Sequence, residues 1–205
     1  SALDFIESGL AYKDFPKTAR IKLAKVCGNI RGEAVTKLLT PYISVPENDL
    51  REAVLASLSE CGFSGGNVNG EIQAQVTHRG PCQNEAADVR VLFSALREIE
   101  SKDEMSLAAQ AIRIELKHAR ERLFYLLSFI HERKAILNAR RIINQRNEAK
   151  LPYAIETLDT ILPRDIKLIM VPLAEELHGK EACKKIGITE KVSLHEVAER
   201  AQGWL

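Results

Sequence analysis

The sequence predicts an all-α protein, an α-solenoid of antiparallel helix hairpins, and three observations carry that expectation. No proline or glycine interrupts the 70 residues from Cys82 to Leu151, and that stretch is rich in Ala, Leu, Arg and Glu, which cost little in a helix. No strand can be found: β-branched residues are scattered, and no period-two alternation stands beside an Asn-Gly type of turn. Apolar residues instead recur at three- and four-residue steps along most of the chain, the spacing of one helix face.

Taken in order, Leu3, Ile6 and Leu10 open the chain as a short helix. Pro16 stands at the first turn of the next, whose apolar series Ala19, Leu23, Val26, Cys27 and Ile30 ends before Gly32; proline is tolerated there because its missing N–H is an orphan anyway. A partner helix runs through Ala34, Val35, Leu38 and Leu39 to Pro41, and another through Leu50, Val54, Leu58 and Cys61 to a glycine cap at Gly62. Residues 62–81 hold five glycines and Pro81. They are read as a loop between an N-terminal part (1–61) and a C-terminal part (82–205), interrupted by a short helix around Val68 to Val76. Val89, Phe93, Leu96 and Ile99 mark a helix ended by the turn at Ser101. Ser101 and Glu104 form a Ser-x-x-Glu capping box, and the series Ala108, Ile112, Leu116, Ala119, Leu123, Leu127, Ile130 predicts one long helix of about 28 residues after it. Ile136, Ala139 and Ile143 carry a further helix to the turn at Asn144–Asn147. Pro152 starts a helix bearing Ala154, Ile155, Leu158 and Ile161. Pro163 starts the next, bearing Ile166, Ile169, Met170, Leu173 and Leu177 before Gly179. A second capping box, Ser193 with Glu196, starts the last.

Composition bounds the function classes. With 29 Lys and Arg against 28 Asp and Glu, 45% hydrophobic residues and 5% aromatic ones, the 205 residues fit a folded domain and exclude disorder, collagen-like repeats and a disulfide scaffold. The net charge of +1 gives no global attraction to nucleic acid. Cys27, Cys61, Cys82 and Cys183 form no Cys-x-x-Cys pair and are read as reduced residues in a cytoplasmic setting, Cys27 and Cys61 as buried small hydrophobes. The longest apolar runs, Leu123 to Ile130 and Leu168 to Ala174, fall far short of the roughly 20 residues of a membrane span. The chain starts Ser1-Ala2-Leu3 and ends Gln202-Gly203-Trp204-Leu205. It is expected to be one repeat domain excised from a longer chain, with Trp204 and Leu205 opening a further repeat.

Self-similarity sharpens the fold. Thr18 to Ile30 aligns without a gap with Asp49 to Cys61, 31 residues on. Ala19 meets Leu50, Arg20 meets Arg51, Leu23 meets Val54, Ala24 meets Leu55, Cys27 meets Leu58 and Ile30 meets Cys61. Val89-Arg90, with Phe93 and Leu96, repeats the pattern again. An apolar-Arg pair followed by apolar residues at plus three, four and seven resembles the first helix of a HEAT-type repeat, so the expected superhelix is HEAT/armadillo-like. Ile112 to Ile136, and Tyr153 to Leu177 with its Glu156-Thr157-Leu158-Asp159, Leu162, Lys167 and Pro172-Leu173, are similar to segments of bacterial HEAT-like proteins. In those proteins the repeats follow a nucleotide-transporter-like membrane domain or accompany a cyclic-nucleotide-binding domain. The resemblance implies a cytoplasmic, non-catalytic scaffold or regulatory interaction module within a larger bacterial protein, with no cofactor of its own.

The chemical alternative rests on two Glu-x-x-His pairs, Glu115 with His118 and Glu175 with His178. Residues three apart share a helix face, and two such pairs with two more carboxylates, here Glu98 and Glu156, build a helical-bundle di-metal carboxylate enzyme. The neighbouring cations Lys117, Arg120 and Arg122 and the core positions Ile112, Leu116 and Leu173 argue for solvated charges instead. The glycines of 62–70 are followed by no Gly-Lys-Ser/Thr and preceded by no strand, which argues against a phosphate loop. No catalytic residue is assigned. Charge segregation is more informative, because residues 111–150 carry ten cations against four anions. Arg113, Lys117 and Arg120 make one stripe by their four- and three-residue steps, and Arg140 and Arg141 are adjacent. These five residues are expected to form the most positive surface and to meet an acidic protein segment, another domain of the same chain or an anionic membrane surface. Nucleic acid is not expected.

Overall fold

The computed structural model describes residues 2–12, 14–64, 80–102 and 106–189. Among them are ten α-helices and no strand. They are α1 (Ala2–Ala11), α2 (Lys17–Ile30), α3 (Glu33–Leu39, continued by a 3-10 turn over Thr40–Tyr42), α4 (Asn48–Glu60), α5 (Gly80–Glu100), α6 (Leu107–Ile130), α7 (Arg133–Asn144), α8 (Leu151–Ile161), α9 (Arg164–Ala174) and α10 (Gly179–Ile186). The expected short helix at 68–76, the Ser193–Glu196 capping box and the C-terminal Trp204 and Leu205 lie outside the described residues.

Most helix ends have a local cause. Pro16, Pro152 and Pro163 stand at or beside helix starts as the sequence predicts. At the end of α4, Gly62 takes a φ of 75°, the left-handed conformation that costs glycine nothing. The Gly62 and Phe63 amides then donate to Ser59 O at 3.0 Å and Leu58 O at 3.0 Å, a Schellman cap. Phe63 is thereby aimed at Phe129 of α6, with ring centroids 5.0 Å apart and the planes at 90°, an edge-to-face pair. Two other helices close in the same way without glycine: Arg146 after α7 and Glu176 after α9 have φ of 49° and 51°.

The long helix is shorter than its apolar series suggests. It spans 24 residues, Leu107–Ile130, and its N-cap is Ser106, whose hydroxyl accepts from the Ala109 amide at 3.2 Å. Ser101 is no cap for it, because its hydroxyl donates to Glu98 O at 2.8 Å and finishes α5. At the other end of the foreseen loop, Gly80 and Pro81 belong to the first turn of α5.

Packing follows the chain at first. α1 lies on α2, and α2 on α4, the two segments that align 31 residues apart. The α2–α4 contact is close, since a Cβ on Gly28 would come within 2.2 Å of Glu60 Oε2 and 3.2 Å of Ser57 Oγ, and Ser57 donates to Ala24 O at 2.8 Å. That approach uses the small side of α2, with Ala24, Cys27 and Gly28 buried. Val26 and Ile30, expected in the core, are left 46% and 45% exposed. α4 then packs on α6, and α6 on α5 and α7.

The C-terminal helices turn back. α9 packs on α5, α6 and α8, and α10 packs on α5, five elements earlier. Gly179, expected to end a helix, instead opens α10. A Cβ there would fall 2.3 Å from the backbone nitrogen of Arg97 and 2.7 Å from its Cα, so only glycine lets the α10 backbone reach α5. The contact is fixed by polar groups as well: Glu100 Oε2 accepts from the Gly179 amide at 2.8 Å, Arg97 Nη1 donates to Ile188 O at 3.0 Å, and Cys183 Sγ to Phe93 O at 3.4 Å. One apolar cluster runs through the described helices, from Ile6 and Leu10 to Ala182 and Ile186.

Candidate functional site

Helix α6 is buried on two sides, and its polar residues fall on two stripes about 200° apart, because positions two residues apart are rotated by about twice 100°. One stripe, Glu115, His118 and Arg122, faces α4 and α5. Arg122 is 2% exposed and Glu85 of α5 is 1% exposed. Arg122 Nε donates to Glu85 Oε1 at 2.9 Å, and its Nη2 reaches Glu85 Oε1 and Glu115 Oε1 at 2.7 Å each. The second oxygen of Glu85 takes Arg51 of α4 at 3.0 Å, Asn48 donates to Glu115 at 2.9 Å, and His118 Nδ1 lies 2.8 Å from Glu52. Burial pushes the Arg122 pKa down, but the charges and hydrogen bonds of Glu85 and Glu115 more than offset it and raise it. The Arg122 guanidinium is therefore held charged, and the network ties α4, α5 and α6 together, with the Nε–H of Arg51 left buried and without an acceptor.

The other stripe, Arg113, Lys117 and Arg120, borders a cavity of about 120 Å³. Phe93 and Leu96 of α5, Leu116 of α6, and Pro172, Leu173 and Leu177 from α9 and the turn after it form its apolar lining. Arg113, Lys117, Arg120, Glu176 and His178 supply its polar lining. Arg120 is 6% exposed, and its Nη1 donates to Leu173 O at 3.2 Å and Glu176 Oε1 at 3.1 Å. A cation is favourable there because α9 ends at that carbonyl with the negative end of its dipole. The Nε–H of Arg120 is buried and has no acceptor. Arg113 pairs with Glu100 at 2.6 Å, and His178 Nδ1 lies 3.4 Å from Glu100. Glu176, in its left-handed conformation, also accepts from Arg146 at 3.0 Å. Lys117 is exposed and makes no ion pair or hydrogen bond among the described residues.

The five residues of the expected basic stripe thus divide. Arg113, Lys117 and Arg120 come together at the cavity, but two of them are bound to carboxylates. Arg140 of α7 lies elsewhere, paired with Glu121 at 2.6 Å and stacked 4.6 Å over the Tyr125 ring. Arg141 is exposed and donates to Asn138 at 2.8 Å. The two Glu-x-x-His pairs do not converge. Glu115 and His118 belong to the Arg122 network, Glu175 pairs with Lys185 at 2.5 Å, and His178 sits beside Glu100. Glu98 pairs with Arg97 at 3.4 Å, and Glu156 borders a separate groove between α7 and α8. Among the described residues no group of three His, Cys, Asp or Glu is placed to hold a metal ion, and no helix is long and apolar enough to cross a membrane.

The sequence did not point to Glu85, Glu100 or Glu176 as partners. Each lies 13 or more residues from the cation it binds, so only tertiary packing brings the pairs together. No protein-family model, curated protein or solved structure matches the chain.

Proposed function

We propose that this chain is a non-catalytic interaction module, a HEAT-like solenoid segment of a larger bacterial protein that docks an acidic protein segment on the face bearing Lys117. The observation that carries this reading is the lined cavity with a lysine at its edge that has no partner among the described residues, on a helix whose N-terminal half also exposes Leu107 and Ile114. A surface that combines exposed apolar residues with an uncompensated cation complements a segment with hydrophobic and acidic residues. The repeat reading is supported by the matched roles of the aligned arginines. Arg20 donates to Leu10 O at 3.3 Å and pairs with Glu47 at 3.1 Å, while Arg51 donates to Val45 O at 3.3 Å and pairs with Glu85 at 3.0 Å. Each tethers its helix to the chain before it and to a carboxylate.

The test is selection of a random peptide library on the immobilised protein, followed by titration of the enriched peptides against wild type, Lys117→Glu and Arg141→Glu. Enrichment of acidic residues, with binding weakened by Lys117→Glu, supports the proposal. No acidic bias, or equal binding by both variants, overturns it. Titration with vesicles containing anionic lipid is run alongside, and binding to vesicles but to no peptide would also overturn it.

A further inference from the structure

We propose that the cavity between α5, α6 and α9 is a binding site for a small apolar carboxylate, a single aromatic ring or short branched chain joined to a carboxyl group. This goes beyond docking of an acidic segment and does not depend on it. The size sets the tail, because a dry cavity of about 150 Å³ accepts one benzene ring, and this one is about 120 Å³. Its lining by Phe93, Leu96, Leu116 and Leu173 favours apolar matter over water.

The charge sets the head group. Arg113 and Arg120 are already held by Glu100 and Glu176. Lys117, which borders the cavity, has no such partner among the described residues. A carboxylate compensates the charge of Lys117, whereas a neutral alcohol would leave it uncompensated. Glu176 disfavours a second anionic group on the ligand, which points to a monocarboxylate. The turn that carries Glu176 (φ 51°) is closed by the Glu176 and Leu177 amides, which donate to Leu173 O at 3.3 Å and Pro172 O at 3.1 Å, and the Glu176 carboxylate accepts from Arg120 and Arg146.

The same chemistry could come from a free acid or from the apolar C-terminal residue of a peptide, and the experiment separates them. The full chain is titrated with 3-phenylpropanoate and 4-methylpentanoate, with 3-phenylpropanamide as the neutral control, and with a short peptide ending in Phe as the free acid and as the amide. Binding is read by amide chemical-shift changes and by the rise in melting temperature that ligand binding to the native state imposes. The acids are expected to perturb amides of α5, α6 and the α9–α10 turn, the amides to bind about tenfold or more weakly, and Lys117→Gln to erase the difference between acid and amide. Leu177→Trp, which fills the cavity from its edge, is expected to abolish binding while leaving the helical circular dichroism unchanged. Binding of the free acids alone identifies a metabolite-type site, and binding of the peptide acid as well identifies a chain end. Equal binding of acid and amide, shifts scattered over the surface, or no binding to wild type would each overturn the proposal.

Discussion

Replacing Glu85 by alanine tests whether the Arg122 network holds α4, α5 and α6 together. The substitution removes both Glu85 contacts of Arg122, at 2.9 and 2.7 Å, and the 3.0 Å pair with Arg51. Arg122 would keep Glu115 but remain a buried cation with too few acceptors. Breaking a buried pair by deleting one partner costs about 3–5 kcal/mol, a large share of the roughly 5–15 kcal/mol that holds a domain folded. In urea, with an m-value of about 2 kcal/mol/M, the midpoint should fall by about 1.5–2.5 M. Glu85→Gln keeps the shape and an acceptor, so it should lose about 1.5–3 kcal/mol, the worth of charge-assisted hydrogen bonds. The joint change Glu85→Leu with Arg122→Met should recover most of the loss, because apolar pairs of similar volume often replace buried ion pairs without penalty; Arg51, at 13% side-chain exposure, can turn to water. The assay is equilibrium unfolding followed by circular dichroism. A loss below about 1 kcal/mol for Glu85→Ala, the range of surface ion pairs, or a double variant no more stable than the single one, would refute the reasoning.

Three further outcomes follow from the same geometry. Gly179→Ala should destabilise by about 1–3 kcal/mol in urea unfolding, as overpacking does, because its Cβ would lie 2.3 Å from the α5 backbone; amide exchange should report the loss first in α10 and the C-terminal end of α5. Burial pushes the Cys82 thiol up to about 12, with Glu85 adding to the shift, so only about one molecule in 10⁴ is thiolate at pH 8. Iodoacetamide with mass-spectrometric readout should therefore label half-buried Cys61 first and spare Cys82 until denaturant is added. Burial also lowers the His131 pKa below 6.5. The folded state thus resists protonating it, stability is unaffected above that value and declines as pH falls from 6.5 through the folded pKa, and His131→Gln should flatten that part of a stability–pH curve.

The local sequence reveals helices where punctuation is local and conceals contacts that depend on approach. α4, α7 and α8 are legible because Gly62, the Asn144–Asn147 turn and Pro152 bound clear apolar series. α10 is not, because Gly179 looks like a terminator until the α5 backbone beside it explains why no side chain fits. The signal that could have revealed the helix is Ala182, Cys183 and Ile186 on one face, followed by Gly187 in the left-handed conformation. The α2 face differs for a related reason: apolar spacing favours Val26 and Ile30, whereas a close helix crossing selects the small residues Ala24, Cys27 and Gly28. For the cavity, the stripe of Arg113, Lys117 and Arg120 was legible, and its neutralising carboxylates were not.

The ten cations of residues 111–150 look like one basic surface only when charge is counted along the chain. On α6 they alternate between two faces, so Arg122 belongs to an internal ionic lock with Glu85, and Arg120 belongs to a cavity wall with Glu176. Most of the excess charge is spent on holding helices to one another: Arg133 bonds Ser59 O of α4, Arg140 bonds Glu121 of α6, and Arg146 bonds Glu176 after α9. What remains to act on a ligand is small and localised, chiefly Lys117. Because Lys117 is exposed, its attraction for an anion is screened by salt as at other surface sites. Ligand binding at the cavity and peptide docking on the Lys117 face should therefore both weaken between low and physiological salt, and Lys117→Gln should flatten the salt dependence of each.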